Sequence, residues 1–232
     1  NFTYNHIGHF AQNGHVFAKG LFLGGVTRRF PKLNFGLLEG GVGWAVNLMC
    51  DLIGHWEKLN PAAVRQHRHP SNTDVAELRR LFQHYGAEPV RRRLDDILAS
   101  SLQMEPQDMI LDDYGQTGVE NKGDIVERFR RSFDFGCEAD DPLTAWAFDE
   151  RMGAKLKAVF SSDIGHWDVA RMDEVLPEAF ELVEKGLLTE GDFRDFAFAN
   201  AVHLHGEMNP AFFAGTALEA AAAAELTGPF RG

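Results

Sequence analysis

The chain has 232 residues, 44% hydrophobic and 25% charged, the balance of a folded globular protein with one large domain or two small ones. Its formal net charge of -11 argues against a general nucleic-acid partner, because neutralising phosphates needs a basic surface. No apolar run approaches the ~20 residues of a membrane span, and the alanines before Glu225 are too few, so no membrane partner is expected.

The opening stretch, NFTYNHIGHF, has neither an initiator Met nor a signal peptide, and it is read as the continuation of a longer protein. Its aromatics and Gly8 suggest a loop or a broken strand end carrying His6 and His9. A helical pattern is expected from about Ala11 to Phe30, with Val16, Phe17, Leu21 and Phe22 on its buried face. Arg28 and Arg29 suit its last turn, and Pro31 closes it. Lys32–Leu38 reads as a short buried strand that runs into Glu39 and Gly40-Gly41-Val42-Gly43, where glycines allow a sharp turn or close approach to a ligand. Trp44–Leu59 follows as a helix with a broad apolar face.

Pro61 to Arg131 is polar, with helices expected over Asn72–Tyr85 and Pro89–Leu102 and a loop over Gln107–Lys122. It reads as a mostly helical insertion, and its arginine clusters are interleaved with acids. Phe133–Cys137 is a second short strand, ending in Glu138, Asp140 and Asp141, with Pro142 opening a helix to about Met152. The apolar run Leu156–Phe160 is a third strand. It leads into SSDIGHWD and then a helix over Glu174–Lys185. A last helix spans Gly191–Leu204, and a tail opening at Asn209-Pro210 is expected to pack outside. The triplet His203-Leu204-His205 fails as a metal motif on a helix, because positions i and i+2 do not share a face.

Three strand–loop–helix units in series, each strand ending in a carboxylate, predict a parallel α/β fold. Polar side chains beyond the carboxyl ends of such strands are where chemistry is placed. Asp163, His166 and Asp168 fall within six residues there, a set suited to a divalent metal or to proton transfer. The competing reading is that Asp163 caps the next segment while His166 and Trp167 pack. Cys50 and Cys137 give no disulfide framework and no CxxC metal pattern. Both are expected to be buried thiols in a reducing, cytoplasmic setting.

The runs GGVTRRFPKLNFGLLEGGVGW (Gly24–Trp44) and FSSDIGHWD (Phe160–Asp168), with Asn200 in the closing helix, resemble the amidohydrolase-related metal-dependent hydrolases. They are most similar to the branch that includes aminocarboxymuconate semialdehyde decarboxylases. The resemblance covers most of the chain except the insertion. It implies that the fold is the C-terminal part of a TIM (β/α)8 barrel. The strands near 32–38, 133–137 and 156–160 would be its sixth, seventh and eighth, and 61–131 would be inserted between the first two.

Asp163 then occupies the place of the family's metal-ligating aspartate, which also handles the proton of the attacking water or of the substrate. Glu39 stands where decarboxylating members carry a histidine. That leaves it the roles of acid/base, substrate partner or structural anchor. The family's HxH motif and its histidine after the fifth strand have no counterpart here, so most metal ligands are expected upstream of residue 1. His6 and His9 would lie on the pocket rim. They would bind substrate together with Glu138 and His166.

The reading that follows is a metal-dependent hydrolase, with Zn (or Mn or Fe) activating a water against a small, cyclic or carboxylate-bearing molecule. A metal-dependent decarboxylase is the alternative, and a barrel protein that has lost metal and catalysis is the second. A homo-oligomer is compatible with either. Three parallel strands alone would leave two free edges and a bare apolar face, to be completed by residues outside this stretch.

Overall fold

A computed structural model describes residues 1–67, 69–102 and 112–228. The protein is α/β, mostly helical, with a three-stranded parallel sheet. It divides into two compact units, one of residues 1–54 and 116–232 and one of residues 55–115.

The sheet belongs to the first unit. Its strands are β1 (Phe35–Leu37), β2 (Phe133–Cys137) and β3 (Lys157–Phe160), in the order β1-β2-β3. β2 is central and buried throughout. Register places Phe35 beside Phe133 and Leu37 beside Phe135, so these side chains share one face. That face packs on α1 (His9–Leu23), α2 (Gly43–Leu59) and α3 (Lys122–Ser132). Phe22 meets Phe129, Phe129 meets Phe133 and Phe135, and Trp44 meets Phe135 edge-on at 5.5 Å. Phe22, Phe129, Phe133 and Phe135 are fully buried, worth about 1.5–3 kcal/mol each in apolar transfer. α3 starts on a reciprocal cap, in which Asn121 and Asp124 each accept from the other's backbone N–H.

The opposite face carries the row Gly36, Asp134, Lys157. It is polar and it is covered, which corrects the expectation of a bare apolar face. A continuous helical run closes it: Glu190–Arg194, a π-turn over Asp195–Ala199, and α5 (Asn200–Gly206). Leu204 packs 3.5 Å from where a Cβ on Gly36 would sit. Asn200 donates from Nδ2 to the Ala158 carbonyl at 2.8 Å and so closes the outer edge of β3, while Phe196 meets Phe160 edge-on. The π-turn adds one residue, which rotates the following turn by about 100°. Among the described residues, the outer edge of β1 has no strand partner.

Several local expectations differ. The first ten residues are helical, over Phe2–His6 and from His9 onward, with the Asn1 side chain accepting from the Tyr4 N–H. α1 stops at Leu23, before Gly24-Gly25, and only a short turn, Val26–Arg29, follows. Its buried residues are Ala18 and Phe22, whereas Val16 (63%) and Phe17 (55%) face outward. Cys50 is exposed on α2, while Cys137 is buried in β2.

In the second unit, helices span Pro61–His67, Val75–Tyr85, Glu88–Arg92 and Leu94–Leu102, with Asp74 capping the second. Arg93 interrupts the helix expected over Pro89–Leu102. The arginines here meet carboxylates, Arg79 with Asp95 and Arg80 with Glu77, each at 2.6 Å. α3 belongs to the first unit, so the second ends well before Arg131. Part of the expected loop over Gln107–Lys122, residues 107–111, lies outside the described residues.

Asn200→Ala leaves the buried Ala158 carbonyl without its donor and is expected to cost about 1–3 kcal/mol in urea unfolding. An unchanged midpoint and slope would show that the Asn200 contact does not hold the helical run.

Candidate functional site

Parallel pairing brings the carboxyl ends of all three strands to one end of the sheet, and each end leads into an acid. Glu138 follows β2 directly; Glu39 and Asp163 lie in the loops after β1 and β3. Both loops are tied to β2 beyond the strands themselves. The Gly41 N–H donates to the Gly136 carbonyl at 3.1 Å and the Ser161 N–H to the Cys137 carbonyl at 2.9 Å. Gly41 has φ 63°, and a Cβ there would fall 2.7 Å from Asp141 Oδ2, so the turn after Glu39 needs glycine.

Glu39 (φ 61°) and Asp163 (φ 50°) are the two non-glycine residues with left-handed backbone among those described. Aspartate tolerates this region better than glutamate does. Such strain costs on the order of 1–3 kcal/mol and persists where the surroundings over-determine it, often at functional sites. Here it falls on the two carboxylates that sequence reasoning singles out as catalytic.

Asp163, His166 and Asp168 each present one ligand atom, all within 4.8 Å of one another and all on exposed side chains. His166 Nδ1 lies 3.3 Å from Asp163 Oδ2 and makes a close contact with Asp168 Oδ1. The hydrogen bond to Asp168 holds the His166 pKa above its ordinary value, with the charges of Asp168, Asp163 and Glu39 adding to it. The same bond holds the Asp168 carboxyl below its ordinary range, helped by His166 and His6. Glu138 is raised, first by partial burial and then by Asp140, Asp163, Asp141 and Asp168.

Two clefts share Glu138. One, of about 340 Å³, is lined by His6, Phe10, Glu39 and Gly40. The other, of about 880 Å³, is lined by Asp140, Ser161, Asp163, Asp168, Arg171 and acids of α4 (Val175–Glu184). The sheet end is therefore one acidic mouth with His6 in it and His166 beside its Asp163 and Asp168. His9 is turned back towards the preceding helical turn: its Nδ1 is 2.8 Å from the His6 carbonyl and its ring lies on Phe10. Trp167 is 79% exposed and makes no core. His203 and His205 lie far along the chain on α5, with His203 held by Glu207 and His205 stacked on Phe212.

The sequence groups Asp168 with Asp163 and His166, and its spacing of two from His166 is what allows the contact. Sequence reasoning missed the backbone strain, which no residue pattern announces at a glutamate.

Replacing Asp168 by Asn removes the anionic partner of His166, so the imidazole midpoint, followed by NMR, is expected to move down towards its ordinary value; an unmoved midpoint would contradict the pairing. Glu39→Gly relieves the left-handed backbone and is expected to raise stability by about 1 kcal/mol, whereas a loss would show that no strain is stored there. No protein-family model, no curated protein and no solved structure matches this chain.

Proposed function

We propose that the acidic mouth is the centre of a metal-dependent hydrolase of the amidohydrolase-related kind, with the three strands forming the last part of a TIM barrel. The observation that supports it most is the pair of strained carboxylates, Glu39 and Asp163, at the ends of two parallel strands, one of them within 4.8 Å of a second carboxylate and an imidazole. Two carboxylate oxygens and a ring nitrogen are a donor set that fits Zn, Mn or Fe. Asp163 would hold the ion, with His166 and Asp168 beside it. A bound divalent metal supplies a water of lowered pKa and polarises the scissile carbonyl.

Asp163 takes the proton that the water gives up. Asp168 fixes the His166 ring beside the ion, and Glu39 orients the substrate from the neighbouring cleft. Glu138, its carboxyl raised by its acidic neighbours, donates or accepts a hydrogen bond at the junction of the two clefts. His6 contributes from the rim in preference to His9, which does not line the cleft.

The surrounding acids favour an uncharged cyclic substrate over one bearing a carboxylate, since an anion would meet Glu39, Glu138, Asp140 and Asp168 together. That favours hydrolysis over decarboxylation. Two free thiols suit a reducing, cytoplasmic setting.

A panel of lactones, cyclic amides and their carboxylate-bearing analogues, assayed with and without added Zn, tests this. Hydrolysis is expected to vanish with a chelator and to fall by about 10²–10⁴-fold in Asp163→Ala. Turnover indifferent to both treatments, or release of CO2 in place of a hydrolysis product, would overturn the assignment.

A further inference from the structure

Away from the mouth, on the covered face of the sheet, lies a second group of ionisable side chains that the proposed chemistry does not use. Asp134 is wholly buried. Its Oδ2 is 3.0 Å from Lys157 Nζ, while neither carboxylate oxygen has an aligned hydrogen bond among the described residues. Lys157, itself buried, donates to the Arg131 carbonyl at the end of α3 at 3.1 Å, and the Arg131 side chain turns away towards Thr27 and Glu127. His203 on α5 and Glu207 just beyond its end act on Asp134 through their charges. His203 Nδ1 is 2.9 Å from Glu207 Oε1, and Nε2 is 3.6 Å from Glu225 Oε1 on α6 (Glu219–Thr227). Arg194 makes a close contact with Glu225, and Asn34 reaches Glu207 at 3.4 Å.

The charges do not balance. The carboxylates of Asp134, Glu207 and Glu225 face two permanent cations, Lys157 and Arg194. Asp195, 3.5 Å from Arg194, adds to the deficit. Glu207 and Arg194 reach solvent, but Asp134 is wholly buried, so a proton taken up here sits on its carboxyl.

We propose that this cluster is a proton-held latch: the folded protein keeps a proton on the wholly buried Asp134 beneath α5, and losing it loosens α5 and α6 from the sheet. Burial supports this by pushing the Asp134 carboxyl up to about 6, with Glu207 adding to the rise and Lys157 and His203 opposing it. An unfolded aspartate releases its proton near 4, about two pH units lower. Between those values the folded state holds more protons than the unfolded one. Stability therefore falls as pH rises through this window and levels off above it. This is opposite in sign to a carboxylate stabilised by a salt bridge, and it does not depend on the hydrolase reading.

Hydrogen–deuterium exchange of the full chain, corrected for intrinsic rates, reads the latch directly. Opening of α5 and α6 is expected to be about 10-fold more frequent at pH 7.5 than at pH 5, and Asp134→Asn is expected to remove that dependence. Carbon NMR of the wild-type carboxyls decides the matter even where Asp134→Asn does not fold. Asp134 is expected to titrate at about 6, and His203→Gln to move its midpoint upward. Equal protection at both pH values, or a wild-type midpoint near ~4, would overturn the latch.

Discussion

Parallel pairing of the three strands is the constraint on which the rest depends. Because β1, β2 and β3 run the same way, their carboxyl ends lie together. Acids that are widely separated in sequence, Glu39, Glu138 and Asp163, become neighbours only through that pairing. An antiparallel arrangement of the same segments would send alternate loops to opposite ends. Parallel strands also need long crossovers, and the chain between β1 and β2 supplies one that holds a whole second unit before returning through α3.

The two faces of the sheet serve different ends. One is closed by phenylalanines and is stabilised by burial alone. The other holds the Gly36, Asp134, Lys157 row, closed by a helix whose π-turn precedes Asn200. Burying a charged pair stabilises little in itself, because desolvation offsets the attraction. Removing one partner is costly, however, and that makes the row selective for the register and for the helix that covers it. The acidic mouth, by contrast, stays exposed, so its charges remain screened and its strain is local, confined to Glu39 and Asp163.

Much of this was legible in the residues. The three strands carry short apolar runs followed by turn residues and acids, a pattern that arises because a parallel strand is buried on both sides and stops where polar loops begin. Asp163 was legible from its place after such a strand. What was not legible depended on three-dimensional neighbours. Val16 and Phe17 suit a buried helix face as well as Ala18 and Phe22 do, and only packing against Phe129 chooses the phase. Cys50 sits one residue beyond the buried Met49, and that step turns it outward. In FDFGC and LKAVF, Asp134 and Lys157 are single charged residues within short apolar runs. Register makes them a pair, and a single sequence does not state register. The N-terminal histidines read as loop residues because Gly8 and the aromatics obscured two short helical stretches around them.

The central claim is that Asp163, with His166 and Asp168, holds a divalent metal at the mouth of the parallel sheet. Anomalous diffraction at the zinc edge, on crystals of the protein grown with Zn, tests it most directly. The account predicts an anomalous peak within ligand distance of the Asp163 carboxylate, lost in Asp163→Ala. A peak confined to the His203 and His205 region, or none near Asp163 in the zinc-loaded protein, would contradict it.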